Sequence, residues 1–256
     1  MNGNAASGIG RAEYLVRRLE HFTRLSADDK RALDRIAAGP VQSLRPRDDL
    51  IHEGDRPEDV HLFLDGWACR YEMLEDGRRQ LTSFFLPGDF CDMNVFILSR
   101  MDHSIAALTP LRVARISREA LQEITLNHPR ITQALWWSTL VTQAIQREWT
   151  VSLGQRTGYE RLGHLLCELF MRLWMLGLTK DDTCELPLTQ SDLADTVGLS
   201  AVHVNRTLQE LRSRGLIVWK GRRLTIPDYP ALQAASLFNP NYLHMNREGR
   251  HLDAND

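Results

Sequence analysis

Residues 189–226 read TQSDLADTVGLSAVHVNRTLQELRSRGLIVWKGRRLTI, and this stretch decides the fold. Thr189 with Asp192 three positions on has the form of a capping box, so a helix starts there. Leu193, Ala194 and Val197 give that helix one apolar face. Gly198 ends it, because glycine accepts the left-handed geometry of a sharp turn. Ser200 is a natural N-cap for a second helix. In that helix Val204, Leu208 and Leu211 recur at i, i+4 and i+7 and must face a core. Val202, Arg206 and Gln209 then lie on the opposite side, flanked by His203 and Asn205. Residues 216–219 and 222–226 read as two strands with Lys220 and Gly221 at their turn. Two short helices about a glycine turn, followed by a hairpin, form a winged helix-turn-helix. Such a unit lays its second helix in the DNA major groove.

The charge agrees with that expectation. Between residues 201 and 225 the basic side chains are Arg206, Arg212, Arg214, Lys220, Arg222 and Arg223, against the single acid Glu210. The whole chain carries 31 Lys+Arg against 33 Asp+Glu, a formal charge of −2, so this segment is a basic island on a near-neutral protein. Phosphates attract such an island through charge and counterion release. A plain helical hairpin with a solvated basic face is the competing explanation, since two packed helices share this geometry. Agreement among caps, glycine turn, apolar period and basic wing favours DNA.

The remaining composition sets bounds. A chain of 256 residues has room for one large or two modest domains. With 43% hydrophobic and 25% charged residues it is an ordinary globular protein. The most apolar run, residues 165–178, is interrupted by Glu168 and Arg172, which argues against a membrane span. The start, MNGNAASGIGRAEY, lacks the apolar core of a signal peptide, so a cytoplasmic location is expected. Cys69, Cys91, Cys167 and Cys184 are scattered with no C-x-x-C pair, which indicates neither a zinc knuckle nor an iron–sulfur cassette; no metal site is expected. Cys69 and Cys167 read as small buried hydrophobes, and Cys91 is a thiol with a possible redox role.

Outward from the decisive stretch, residues 1–20 are expected to be a flexible N-terminus, with helical texture from Tyr14 to Ala38. From Val41 to Ile116, short apolar runs alternate with turn signals at Gly54-Asp55, Asp65-Gly66, Asp76-Gly77, Gly88-Asp89 and Thr109-Pro110. Turns at that density predict an antiparallel barrel or jelly roll. A short helix follows at residues 117–127. Pro129 then opens a long helix on which Ile131, Leu135, Thr139, Thr142, Ile145 and Trp149 approximate one stripe, expected to be a dimer seam. A hinge is expected at 154–158, a further helix at 159–176, and a loose polar tail at 237–256.

β-roll, long helix and winged helix in that order resemble the Crp/Fnr family of bacterial transcription regulators, from about residue 24 to 237. Residues 50–55 (LIHEGD) are similar to the family's first barrel turn, 62–66 (LFLDG) to its strand-turn signature, and 86–90 (LPGDF) to the run entering its effector pocket. Residues 189–217 resemble its DNA-binding motif. The resemblance implies an α+β chain: an N-terminal antiparallel, jelly-roll-like β-roll sensor domain of the cyclic-nucleotide-binding type at 21–128, a dimerisation helix at 129–155, and a Crp-type winged helix-turn-helix at 156–236. It also implies a homodimer on double-stranded DNA at a near-palindromic operator, an RNA polymerase contact if the protein activates, and a small-molecule effector.

The family's cyclic-nucleotide binders carry Gly-Glu-Leu after the PGDF-like run and an Arg-Ser pair further on. The matching residues here are Cys91, Asp92 and Met93, then His103 and Ser104. The arginine that would neutralise a cyclic phosphate is thus replaced by a histidine, mostly neutral at pH 7 and without a planar fork. A buried phosphate without a charge partner is costly, so the expected effector is not cyclic AMP. The oxygen-sensing branch uses an N-terminal cysteine cluster, and no cysteine precedes Cys69. For a haem-bearing branch the candidate axial ligands would be His52, His61, His103 or Cys91, but their spacing selects none. No cofactor is expected on the main reading; the alternative is a haem- or nucleotide-binding sensor module in which ligand sensing is the dominant activity.

For DNA, the resemblance puts the reading positions early on the second helix: Ala201, Val202, His203, Asn205 and Arg206, with Gln209 on the same face. Arg206 matches the family arginine, which can pair bidentately with guanine O6 and N7. Val202 stands where many members have glutamate; it cannot accept from cytosine N4 but can pack on a thymine methyl. Thr189, Ser191, Ser200, Lys220, Arg222 and Arg223 are candidate phosphate donors. No catalytic constellation appears: Asp102, His103 and Ser104 are consecutive, and consecutive residues on a strand face opposite ways.

Overall fold

The computed structural model describes residues 11–91, 93 and 95–245. It opens with α1 (Glu13–Glu20) and α2 (Ala27–Ala37), the second started by a capping box between Ser26 and Asp29. The flexible N-terminus expected at 1–20 is corrected over its second half. Leu15 and Leu19, four residues apart, lie on one face of α1 and are buried. The glycine- and asparagine-rich start that suggested flexibility, residues 1–10, lies outside the described residues.

Eight strands follow: β1 (Val41–Leu44), β2 (Asp49–Ile51), β3 (Val60–Asp65), β4 (Ala68–Met73), β5 (Arg79–Phe85), β6 (Phe90–Cys91), β7 (Ser104–Ala107) and β8 (Leu111–Ile116). They form two antiparallel four-stranded sheets, ordered β1-β8-β3-β6 and β2-β7-β4-β5. Phe63 of the first sheet stacks on Phe85 of the second with ring centroids 4.7 Å apart, inside a core that includes Leu62, Ile105 and Val113. This is the expected β-roll. At Gly66 (φ +88°) an added Cβ would stand 2.2 Å from the Pro110 carbonyl, so the Asp65-Gly66 turn requires glycine for space as well as for conformation.

Ser117 caps α3 (Arg118–Asn127), and Pro129 opens α4 (Pro129–Gln155). The stripe proposed as a dimer seam is corrected here. Ile131, Leu135, Ile145 and Trp149 are buried within the same chain, against the roll and the helix that follows. Thr139 and Thr142 line an internal cavity. The side of α4 that meets solvent carries Trp136 (67% exposed) and Leu140 (60%), continuing through Gln143, Arg147, Thr150 and Val151. A helix packed on its own roll and also presenting an apolar edge has two stripes. Periodicity finds stripes but does not say which neighbour covers each.

Thr157 caps α5 (Gly158–Met175) through a second capping box with Glu160. Then come β9 (Thr179–Lys180), β10 (Thr183–Glu185), α6 (Gln190–Val197), α7 (Ala201–Ser213), β11 (Val218–Lys220), β12 (Arg223–Thr225) and α8 (Tyr229–Ala235). The wing is a four-stranded sheet, β11-β12-β10-β9, rather than the hairpin alone, because β10 pairs with β12 and β9 pairs with β10. Leu193, Val197, Val204, Leu208 and Leu211 join Leu162, Leu166 and Leu169 of α5 in one core. The loose tail expected from 237 is corrected up to 245. Phe238 and Leu243 are buried, and the Tyr242 hydroxyl donates to Glu168 Oε2 at 2.8 Å. Residues 246–256 lie outside the described residues.

Candidate nucleic-acid interface

The two helices of the motif are set as their sequence dictates. The Thr189 hydroxyl accepts from the Asp192 N–H, and Asp192 accepts from the Thr189 N–H in return. Gly198 closes α6 in the left-handed region at φ +63°. The Ser200 hydroxyl accepts from the His203 N–H and starts α7. Arg161 of α5, not singled out from sequence, donates to the Val197 carbonyl at 2.6 Å and so satisfies the end of α6. Burial of Val204, Thr207, Leu208 and Leu211 leaves Val202, Asn205, Arg206 and Gln209 exposed on one face of α7. Val202 is 81% exposed.

The predicted residues do not all stand equivalently. Arg206 and Gln209 project into solvent and make no hydrogen bond or ion pair with another described residue. The Asn205 amide donates to Gln190 Oε1 at 3.3 Å and ties α7 to α6. His203 leans back toward α5, with Nε2 3.0 Å from where a Cβ on Gly158 would stand. Lys220, Arg222 and Arg223 are exposed around the Gly221 turn of the wing. The Thr189 and Ser200 hydroxyls are engaged in capping. Ser191 is exposed, in an open groove between α6 and the β4–β5 hairpin.

The β1–β2 turn and that hairpin supply what sequence reasoning missed. Arg47 places Nη1 2.9 Å and Nη2 3.3 Å from the two carboxylate oxygens of Asp192. Arg79 on β5 reaches Asp192 at 3.2 Å and Asp195 at 2.8 Å, and the Gln80 amide donates to the Thr196 carbonyl. The β-roll therefore grips α6 directly. Arg47 does so from φ +75°, a conformation that costs a non-glycine residue about 1–2 kcal/mol. Burial opposes the Asp192 charge, but hydrogen bonds from Thr189 and Arg47 outweigh it and hold the carboxyl below its ordinary range.

The residues matched to the effector cassette are spread apart. Cys91 is buried on β6 opposite His61 of β3. Met93 lines the internal cavity, and Asp92 lies outside the described residues. The His103 ring pairs with Asp102 at 2.7 Å, and the Ser104 hydroxyl accepts from the Glu53 N–H. Of the histidines considered as haem ligands, His52 is exposed beside Asp49 and Asp55. All four cysteines are free and buried, and burial pushes the thiols of Cys69, Cys167 and Cys184 up to about 12. No group of three or more metal-ligating side chains converges among the described residues, and no helix among them is long and apolar enough to cross a membrane.

Both parts of the chain match known proteins. Residues 41–128 match the cyclic nucleotide-binding domain model, and residues 160–235 match the Crp-like helix-turn-helix domain model. The transcriptional activator protein FnrL of Cereibacter sphaeroides is 31% identical over 180 residues, covering 69% of this chain and 72% of the relative. The chain belongs to the Crp/Fnr family. Among other family members, the transcriptional activatory protein AadR of Rhodopseudomonas palustris is 30% identical, with 79% and 83% of the two chains covered. The structure of FixK2 from Bradyrhizobium japonicum shares the fold, with a TM-score of 0.69 at 24% identity over 77% of this chain and 97% of that one. As a Crp/Fnr regulator the protein binds DNA through its helix-turn-helix domain and controls transcription.

Proposed function

We propose that this Crp/Fnr regulator acts as a homodimer that reads a near-palindromic operator, Arg206 and Val202 reading bases while Lys220, Arg222 and Arg223 hold phosphate. The exposed, uncommitted face of α7 carries this reading. Arg206 is the side chain there with a planar fork suited to guanine, and Val202 is an exposed apolar side chain that packs on a thymine methyl. Gln209 extends the same face, whereas Asn205 and His203 are partly engaged within the protein. Ser191 is the remaining hydroxyl free of a capping role, and it serves phosphate.

The dimer seam moves to the solvent-facing edge of α4, Trp136, Leu140 and Val151. Apolar side chains so exposed on a long helix are suited to covering by a second copy. The effector is one other than cyclic AMP: His103 is committed to Asp102, and Ser104 already accepts from Glu53. The protein works in the cytoplasm, and as an activator it would also touch RNA polymerase.

The test is genomic footprinting of the purified protein on sheared DNA from its own organism at fixed salt. Enrichment of short inverted repeats is the expected result. Salt-sensitive binding with no enriched sequence, with and without cell extract as a source of effector, would overturn the operator reading.

A further inference from the structure

Gln190 and Asn205 are both exposed, yet their side-chain amides are joined: Asn205 Nδ2 donates to Gln190 Oε1 at 3.3 Å. Gln190 is the first residue of α6, directly after the Thr189 cap. Asn205 lies in the second turn of α7, on the exposed face with Val202, Arg206 and Gln209. The bond spans 15 positions of the chain and links the start of one helix to the reading face of the other. An exposed amide–amide hydrogen bond contributes little to stability, and it costs the rotamer freedom of two side chains. Its effect is on orientation. It fixes the amide plane of Asn205 and decides at which end the oxygen stands.

Counting donors and acceptors gives the chemistry left over. An asparagine amide has two N–H donors and one carbonyl oxygen. One N–H is committed to Gln190, so a second N–H and Oδ1 remain. Adenine shows the complement on its major-groove edge, N7 accepting and N6 donating. Guanine shows two acceptors there, and cytosine a donor alone. Gln190 takes part through its oxygen, so the tie leaves its own N–H donors uncommitted. At the first turn of a helix beside the reading face, such donors suit backbone phosphate.

We infer that Gln190 and Asn205 act as one reading unit: Gln190 engages the N–H of Asn205 remote from Oδ1, which sets Asn205 to pair bidentately with an adenine, while Gln190 itself donates to phosphate. The inference rests on the proposed reading of bases by α7, and it adds a positioning residue and the identity of a base. Asn205 adjoins Arg206 in the chain, so its adenine lies beside the guanine of Arg206. Val202, three residues before Asn205 on the same face, packs on the thymine methyl that an A·T pair also presents. The operator half-site therefore contains neighbouring A·T and G·C pairs. Ordering the amide before DNA arrives removes part of the entropy cost of binding, and it is the reason an exposed tie of little stability has a use.

The experiment selects duplexes from a random library with the full-length protein at fixed salt, with and without cell extract. It is repeated with Asn205→Ala, Asn205→Asp, Gln190→Ala and Gln190→Glu. These substitutions change exposed side chains, so each Tm should stay within about 2 °C of wild type. Wild type is expected to enrich half-sites with an adenine beside a guanine. On that duplex, 7-deazaadenine, which lacks N7, and unsubstituted purine, which lacks the N6 amine, should each weaken binding about threefold or more. Asn205→Ala should lower the adenine preference about tenfold or more and make both analogues harmless. Asn205→Asp only accepts, so its preference should move to cytosine, whose N4 donates. Gln190→Ala should lower discrimination at that pair although Asn205 is intact. Gln190→Glu still accepts from Asn205 but no longer donates to phosphate, so it should keep the adenine preference and weaken all duplexes alike. A merely structural tie would leave base preference unchanged in every Gln190 variant. The inference is overturned if the enriched half-site carries no adenine beside the guanine, if binding ignores both analogues, or if Gln190→Ala keeps the wild-type preference in full. Inverted repeats that Asn205→Ala enriches unchanged sink this unit and spare the operator reading. No enriched sequence in any arm sinks the operator reading and the inference with it.

Discussion

Two side chains of the DNA-binding unit illustrate opposite uses of charge. Arg206 is exposed and uncommitted, so its energy is available only to a partner. Arg206→Ala should remove about 1–3 kcal/mol of discrimination at one base pair while non-specific affinity persists. Competition binding between operator and random DNA checks this, and equal loss on both would remove the base-reading role. Asp192 is buried and fully committed to Thr189, Arg47 and Arg79. Its folded pKa is depressed, so the stability it contributes is complete above the ordinary aspartate value near 4. That contribution is lost as pH falls through the lower folded value. The acid limb of a Tm-against-pH curve should therefore flatten in Asp192→Asn. An unchanged limb would mean that other carboxylates govern acid unfolding. His164, held down to about 3 by burial, adds to the same acid limb, because stability is lost as pH falls from the ordinary histidine value near 6.5 toward 3.

The helices differ in how completely their sequences specify them. For α6 and α7 the caps, the glycine at φ +63° and the apolar period all agree, and the boundaries follow from these local signals. α4 carries two apolar edges. The one with Ile131, Leu135, Ile145 and Trp149 packs inside the chain, where the Trp149 indole donates to the buried Glu168. The other, with Trp136 and Leu140, meets solvent. Leu140→Glu should leave the fold within about 0.5 kcal/mol of wild type, since the residue is exposed. It should also convert the dimer to monomer and weaken operator binding. Sedimentation velocity reads the first effect, and a Leu140→Glu protein that remains dimeric would send the seam elsewhere.

The β-roll and the DNA-binding unit are joined by more than the continuous chain. Arg47, Arg79 and Gln80 hold α6 from the roll, while Arg18, Asp89 and Arg172 tie α1, the Gly88-Asp89 turn and α5. Both contacts are ionic and partly buried, and such contacts switch between discrete arrangements rather than deforming smoothly. Arg79 stands 20% exposed between two carboxylates. A double-mutant cycle of Arg79→Ala with Asp195→Ala should give a coupling energy of about 0.5–3 kcal/mol. Hydrogen exchange across residues 190–197 should also rise in Arg79→Ala. A coupling energy indistinguishable from zero would show that the roll merely rests on α6.

What was legible in the chain was whatever depends on neighbours in sequence. The helix-turn-helix, the density of turns in the roll and the caps at Thr189 and Ser200 are local, because capping, glycine conformation and apolar periodicity act over about four residues. The exposed face of α7 was legible for the same reason: its buried face is spelled out by Val204, Leu208 and Leu211. Contacts between distant segments were not legible. No local signal says that Arg47 reaches a residue 145 positions away, or that β9 and β10 complete the wing. Nor does periodicity say which edge of α4 is covered. A charge on a surface helix and a charge bound for an interdomain clamp look identical in sequence. Only folding, by fixing which elements pack together, decides which arginines are left for DNA and which hold the molecule together.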